Sequence, residues 1–245
     1  MARAPQHLDD ILRSWPHVPG EVNARLVKGS DGREVIQLRI EMGVMQLEVD
    51  HRPDGARPGG AETYFDYLLA LAIHRGDDFV LNEEQCAEAD REFVQFYQRR
   101  ICWLALRKYR LAVRDADHSL ALMDFVRHCS PSQEWTQSHE QYRPYILFHR
   151  TQAAALAELE ERGPEAAIEQ INEGLERIRQ CWSNGEREEE PPEDELIERL
   201  VELREQLREH FHVGLTLRER LAEAVAREQY ELAARLRDEI ARRRR

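Results

Sequence analysis

The sequence predicts a mainly α, α+β protein: an N-terminal three-stranded antiparallel meander packed on a helical layer, an acidic linker, and a C-terminal helical hairpin. Three observations carry that prediction. Apolar and polar side chains alternate with a period of two only before residue 50. From Thr63 onward apolar residues recur at helical spacing instead. Within that helical part, Ser183 to Pro192 holds no apolar side chain and clusters negative charge, which reads as a solvated linker. The expected organisation is a domain over residues 1–183, a linker over 184–194 and a helical segment over 195–245.

Residues 7–15 suit a short helix, with Leu8, Ile11, Leu12 and Trp15 on one side and Pro16 and Pro19 to end it. Val22, Ala24 and Leu26 make a first strand, joined by Gly29-Ser30-Asp31-Gly32 to a second over Arg33–Met42. In that second strand Ile36, Leu38, Ile40 and Met42 face one way and Gln37, Arg39 and Glu41 the other. Gly43-Val44 supplies the next turn, and Met45, Leu47 and Val49 continue the apolar face. Three strands alone are marginal, so that face needs helices against it. The loop from Asp50 to Gly60 has two Arg-Pro pairs and three glycines. Arg52, Asp54 and Arg57 make it a candidate ligand loop for an anion; the competing reading is a sheet-to-helix crossover whose arginines pair locally.

Beyond it, Tyr64, Tyr67, Leu68, Leu71 and Ala72 form a core stripe, and Asn82 with Gln85 opens a long helix. After the linker, Leu196, Leu200, Leu203 and Leu207 repeat at 4-3-4 spacing, a seam too short to persist without a partner helix. The last stretch begins at Thr216, whose hydroxyl can cap a helix with Glu219 three residues on. Leu217, Leu221, Ala224 and Val225 share one face; after Arg227–Gln229, Tyr230, Ala233, Ala234, Leu236 and Ile240 share another. Acid-before-base pairs four apart, such as Glu223/Arg227 and Glu231/Arg235, suit both helix geometry and dipole.

This C-terminal pair resembles the UVR motif, the helical hairpin of the excision-repair helicase UvrB and the nuclease subunit UvrC. The residues that carry the resemblance are Leu221, Ala224 and Val225, then Gln229-Tyr230-Glu231, Ala233-Ala234, Leu236-Arg237-Asp238 and Ile240. It implies a protein-binding module, found also in Clp-type ATPases and the McsA stress regulator, with Leu217, Leu221, Ala224, Val225, Tyr230, Glu231, Ala234, Arg237 and Asp238 as its contact residues. McsA-like proteins carry zinc-binding Cys-x-x-Cys pairs; Cys86, Cys102, Cys129 and Cys181 form none.

Residues 109–124 and 164–179 resemble each other and the second helix of a tetratricopeptide repeat. Small residues coincide at Ala112 and Ala167 and at Ser119 and Gly174, and leucine at Leu120 and Leu175. The copies lie 55 residues apart, Arg100 stands where a small residue is expected, and an insertion near Ser130–Gln141 separates them. Ordinary helix packing is the alternative.

The composition narrows the function. The net charge of −12 over 245 residues argues against a general binder of nucleic acid or anionic membranes. Lysine occurs only at Lys28 and Lys108, an arginine bias typical of a GC-rich genome. No signal-peptide pattern and no apolar run of membrane-spanning length appears, so a soluble, cytoplasmic protein is expected. Phosphate-loop, dinucleotide, zinc-protease and nucleophile-elbow motifs are missing, so neither an enzyme nor a cofactor is expected. The expectation is an adaptor whose partner bears a UVR-like or other helical hairpin, in DNA repair or protein quality control, with a homodimer as a second arrangement. Two alternatives stay open. One is a repair accessory touching nucleic acid, since Gly214–Arg245 has nine arginines against six acids. The other is a small-ligand sensor built on the sheet and the 50–60 loop.

Overall fold

A computed structural model describes residues 8–76, 78–183 and 193–243. Most of the expected linker, Asp77 and Arg244–Arg245 lie outside the described residues. The order is α1 (Asp9–Ser14), β1 (Asn23–Lys28), β2 (Glu34–Ile40), β3 (Gly43–Glu48), a 3-10 turn at Pro58–Gly60, α2 (Tyr64–Arg75), α3 (Glu83–Ala105), α4 (Tyr109–His128), α5 (Gln133–Glu140), α6 (Arg143–Glu161), α7 (Pro164–Ser183), α8 (Glu193–Phe211), α9 (Leu217–Ala226) and α10 (Tyr230–Arg243). Packing divides the chain into two compact units, Met1–Ile146 and Leu147–Arg245. This differs from a division at the acidic stretch because α8 packs on α7, across that stretch.

In the first unit the strands form an antiparallel meander in the order β1-β2-β3. Ala24 and Leu26 stand opposite Leu38 and Ile36, which in turn face Met45 and Leu47, so the predicted apolar face is built as expected. The second turn is not. Ile40 pairs with Gly43, so Glu41–Met42 make the turn and Gly43 already belongs to β3. Met42 is therefore 92% exposed instead of facing inward. Arg39 also departs from its outward place. It is buried because its guanidinium donates to the Trp15 carbonyl (2.8 Å), tying α1 to the sheet, and to the Gly43 carbonyl (2.9 Å).

The long helix α3 runs against β1 and β2 and pairs with α4. Its start is the expected capping box of Asn82 and Gln85, and Thr63 with Asp66 makes another at α2. The core joins Tyr64 and Leu68 of α2, Phe79, Leu81, Cys86 and Ala89 with Leu122, Val126 and Cys129. The insertion near 130–141 folds as α5, capped by Ser132, and packs Trp135 on that core.

Charged side chains also lie inside this unit. Arg99 grips Asp115 through two nitrogens (2.7 and 2.9 Å) and gives its third to the carbonyls of Glu48 and His51 (3.0 and 2.8 Å). Glu92 accepts the first two amides of α2, from Tyr64 (2.6 Å) and Phe65 (3.0 Å), and meets His118 Nε2 at 2.9 Å. A carboxylate there satisfies donors that the helix itself leaves open. The cysteines act as packing. None of the four is in a disulfide, and burial pushes the Cys102 thiol up to about 12 and the Cys129 thiol to about 11, which keeps both protonated at neutral pH.

In the second unit Ile168, Ile171, Leu175 and Ile178 of α7 are buried, as is Leu200 of α8. Gly174 sits where α6 approaches most closely: a side-chain carbon there would lie 2.6 Å from Thr151 Cβ. The predicted small residue at 174 thus has the predicted cause, although close helical pairing of this kind is not peculiar to tetratricopeptide repeats.

Three helix ends share one device. Arg107, His212 and Glu228 have φ of 55°, 54° and 57°, the left-handed region that favours glycine. At the end of α9, Gln229 N–H donates to the Ala224 carbonyl (2.8 Å) and Glu228 N–H to the Val225 carbonyl (3.0 Å), a Schellman closure. Glu228→Gly is expected to raise stability by about 0.5–1 kcal/mol by removing the Cβ penalty. Thermal unfolding of the variant, monitored by the helical signal of the hairpin, checks this.

Candidate protein-interaction site

The C-terminal hairpin forms because each helix has its own start, stop and apolar stripe. Thr216 and Glu219 make the predicted capping box: the Thr216 amide donates to Glu219 Oε2 (2.8 Å) and the Glu219 amide to Thr216 Oγ1 (3.3 Å). The Schellman turn then reverses the chain, and α10 packs along α9. Their shared core is small: Ala224, Ala233 and Leu236 are buried, with Leu217 and Leu221 partly buried beside them.

Glu219 also fastens the hairpin to α7 and α8. It accepts from Asn172 Nδ2 (2.9 Å) and pairs with Arg208, while Arg204 donates to Asn172 Oδ1 (2.9 Å). Arg218 pairs with Glu169 (3.2 Å) and Glu173. Burial raises the Glu219 carboxyl, but the hydrogen bonds from Arg208, Thr216 and Asn172 and the Arg208 charge outweigh it, holding it below its usual value. The attachment is thus a polar latch, and it leaves apolar surface open elsewhere on the hairpin.

That surface is a groove between α9 and α10, lined by Arg218, Leu221, Ala222, Val225, Ala226, Arg237 and Ile240. Val225 is 52% exposed. Tyr230, at 69% exposure, shares a side of α10 with Ala234 and Arg237, and Arg237 leads from that side into the groove. The predicted contact residues therefore separate. Ala224 is buried and holds the two helices together. Leu217 and Leu221 stand between core and surface. Val225, Tyr230, Glu231, Ala234, Arg237 and Asp238 are exposed, with Arg237 donating to Asp238 Oδ1 (3.1 Å). Ala222, Ala226 and Ile240 line the groove without being among the predicted contact residues; Ala222 and Ala226 are themselves four apart, each directly following Leu221 and Val225, which was the available signal for those two.

The other candidate, the 50–60 loop, is arranged differently. Arg52 is buried, donating to Glu88 (2.9 Å) and Gln95 (3.3 Å), with Asp54 at 3.4 Å and Glu92 at 3.6 Å. Asp54 accepts from the Ala56 amide (2.9 Å) and from Gln95 (2.8 Å). Arg57 is exposed and is not drawn into this cluster. Arg52 is thus committed to pinning the crossover onto α3, so the loop's cations do not converge on a common site.

Among the described residues, no helix is long and apolar enough to cross a membrane, and no group of three His, Cys, Asp or Glu side chains is placed to hold a metal ion. The hairpin defines a class of protein: one that carries a UVR module. Residues 216–244 match the UvrB/uvrC motif. No curated protein and no solved structure matches the chain.

Proposed function

We propose that the protein is an adaptor that binds another protein through the groove between α9 and α10. The observation that carries this reading is the exposure of Val225 and Tyr230 beside a hairpin core already filled by Ala224, Ala233 and Leu236. The groove lies between two helices and is lined mainly by Leu221, Ala222, Val225, Ala226 and Ile240, which suits an apolar helix of a partner; Arg218 and Arg237 at its sides already pair with Glu169, Glu173 and Asp238. A UVR-like hairpin offers such a helix. Burying three or four side chains there contributes roughly 4–8 kcal/mol before ordering costs, which suits reversible, micromolar association. The role is one of binding and scaffolding, with no reaction of its own, and the captured partner decides between DNA repair and protein quality control.

Val225→Asp tests it, because Val225 is exposed and lies outside the hairpin core. Affinity capture with the intact chain as bait identifies a partner; titration of that partner is expected to weaken at least tenfold in the variant, with an unchanged circular dichroism spectrum. Equal binding by both proteins would refute the groove as the docking site.

A further inference from the structure

The sheet has two open edges, and they are unlike each other. β1 carries Arg25 and Lys28, and Trp15 stacks on Arg25 at 4.1 Å. Charged side chains of this kind guard an edge against pairing. β3 runs Gly43-Val44-Met45-Gln46-Leu47 without a charge, a lysine or a proline before Glu48. Across the two-residue turn, Gly43, Met45 and Leu47 pair with β2 in register, which points the main-chain groups of Val44, Gln46 and Glu48 outward. Glu48 is satisfied: its amide donates to the Pro53 carbonyl (2.8 Å) and its carbonyl accepts from Arg99 (3.0 Å). Val44 and Gln46 keep unpaired main-chain groups among the described residues. Beneath them, because α3 runs against β1 and β2, β3 overhangs a groove floored by Met45, Leu47, Ala87 and Val94, with Val94 54% exposed.

We propose that β3 is a dimerisation edge, pairing antiparallel with β3 of a second copy about a twofold axis at Met45. The open groups require a β-strand as occupant, since only an extended main chain offers donors and acceptors at their spacing. A second copy fits because the pattern is symmetric about Met45. Val44 of one copy meets Gln46 of the other, every open amide finds an open carbonyl, and no like charges are opposed. Paired residues project to the same face, so the two Met45 side chains lie together over the groove and cover the exposed Val94. The adaptor groove on the hairpin takes no part in this contact.

Sedimentation velocity of the full chain over a micromolar concentration range tests the proposal, with amide hydrogen exchange read at the same concentrations. The chain is expected to dimerise reversibly, and the Val44 and Gln46 amides to slow as concentration rises while those of Met45 and Leu47 stay constant. Gln46→Pro removes only an outward N–H and is expected to raise the dissociation constant at least tenfold. Gln46→Lys, at an exposed side chain, is expected to act in the same direction and serves if proline disturbs the strand. A monomer throughout the range, or a dimer that survives both variants, overturns the proposal. So does a dimer dissolved by Val225→Asp instead.

Discussion

Arg99→Leu is expected to destabilise the first unit by about 3–5 kcal/mol, the cost of taking the bidentate cation from a buried carboxylate that keeps only the longer contact to Arg114 (3.3 Å). Arg99 is 1% exposed and Asp115 fully buried, so water cannot take over the lost pairing. The loss extends past the pair. The carbonyls of Glu48 and His51 lose their donor, and Asp115 keeps as donors only the Trp103 indole (3.1 Å) and the partly exposed Arg114 (3.3 Å). For a unit of this size the melting temperature should fall by roughly 10 °C or more. Scanning calorimetry checks the size, and the double variant Arg99→Leu, Asp115→Leu checks the cause. Removing both charges should restore part of the loss, because two apolar side chains leave less unsatisfied than one poorly paired buried carboxylate. A double variant as unstable as the single one would place the cost in packing instead.

Gly174→Val should be the most damaging single change in the second unit. The added carbons would enter the space held by Thr151, which is buried and β-branched, so it has no free rotamer to escape into. The helices α6 and α7 must then move apart at this point. Overpacking of this kind costs about 1–3 kcal/mol, and the two extra methyls put valine at or above the upper end. Urea unfolding is expected to show a lower midpoint for Gly174→Ala and a lower one still for Gly174→Val. The double variant Gly174→Ala, Thr151→Gly should recover part of the loss, since it also removes the Thr151 Cβ that would lie 2.6 Å from the added carbon. Without such recovery, the close approach is not the reason for the glycine.

The hairpin was legible in the sequence almost to the residue because its determinants are local. A capping box spans three residues, the apolar stripes repeat at three and four, and the reversal lies between two adjacent helices. The meander was legible for the same reason, apart from the buried Arg39 and a misplaced turn that shows the limit. Alternation ran through Met42 unbroken, and only the pairing of Ile40 with Gly43 put the turn at Glu41–Met42. Period two names the face of a residue; it cannot say where the chain reverses.

What the tertiary structure decided is the fate of the charges. Arg52, Glu92, Arg99 and Asp115 look like ordinary polar residues of a loop and two helices, and their partners stand 16 to 51 positions away in the chain. Arg52 shows the consequence: as a sequence it reads as a cation free to hold an anion, and in the fold it is spent on Glu88 and Gln95. The sequence alone determined the capped starts of the long helix and the hairpin and the apolar stripes of most elements, since backbone hydrogen bonding and side-chain periodicity act over a few residues. Which apolar residues remain open to a partner, and which ionic groups are consumed inside, depended on distant segments coming together, because burial belongs to the packed whole.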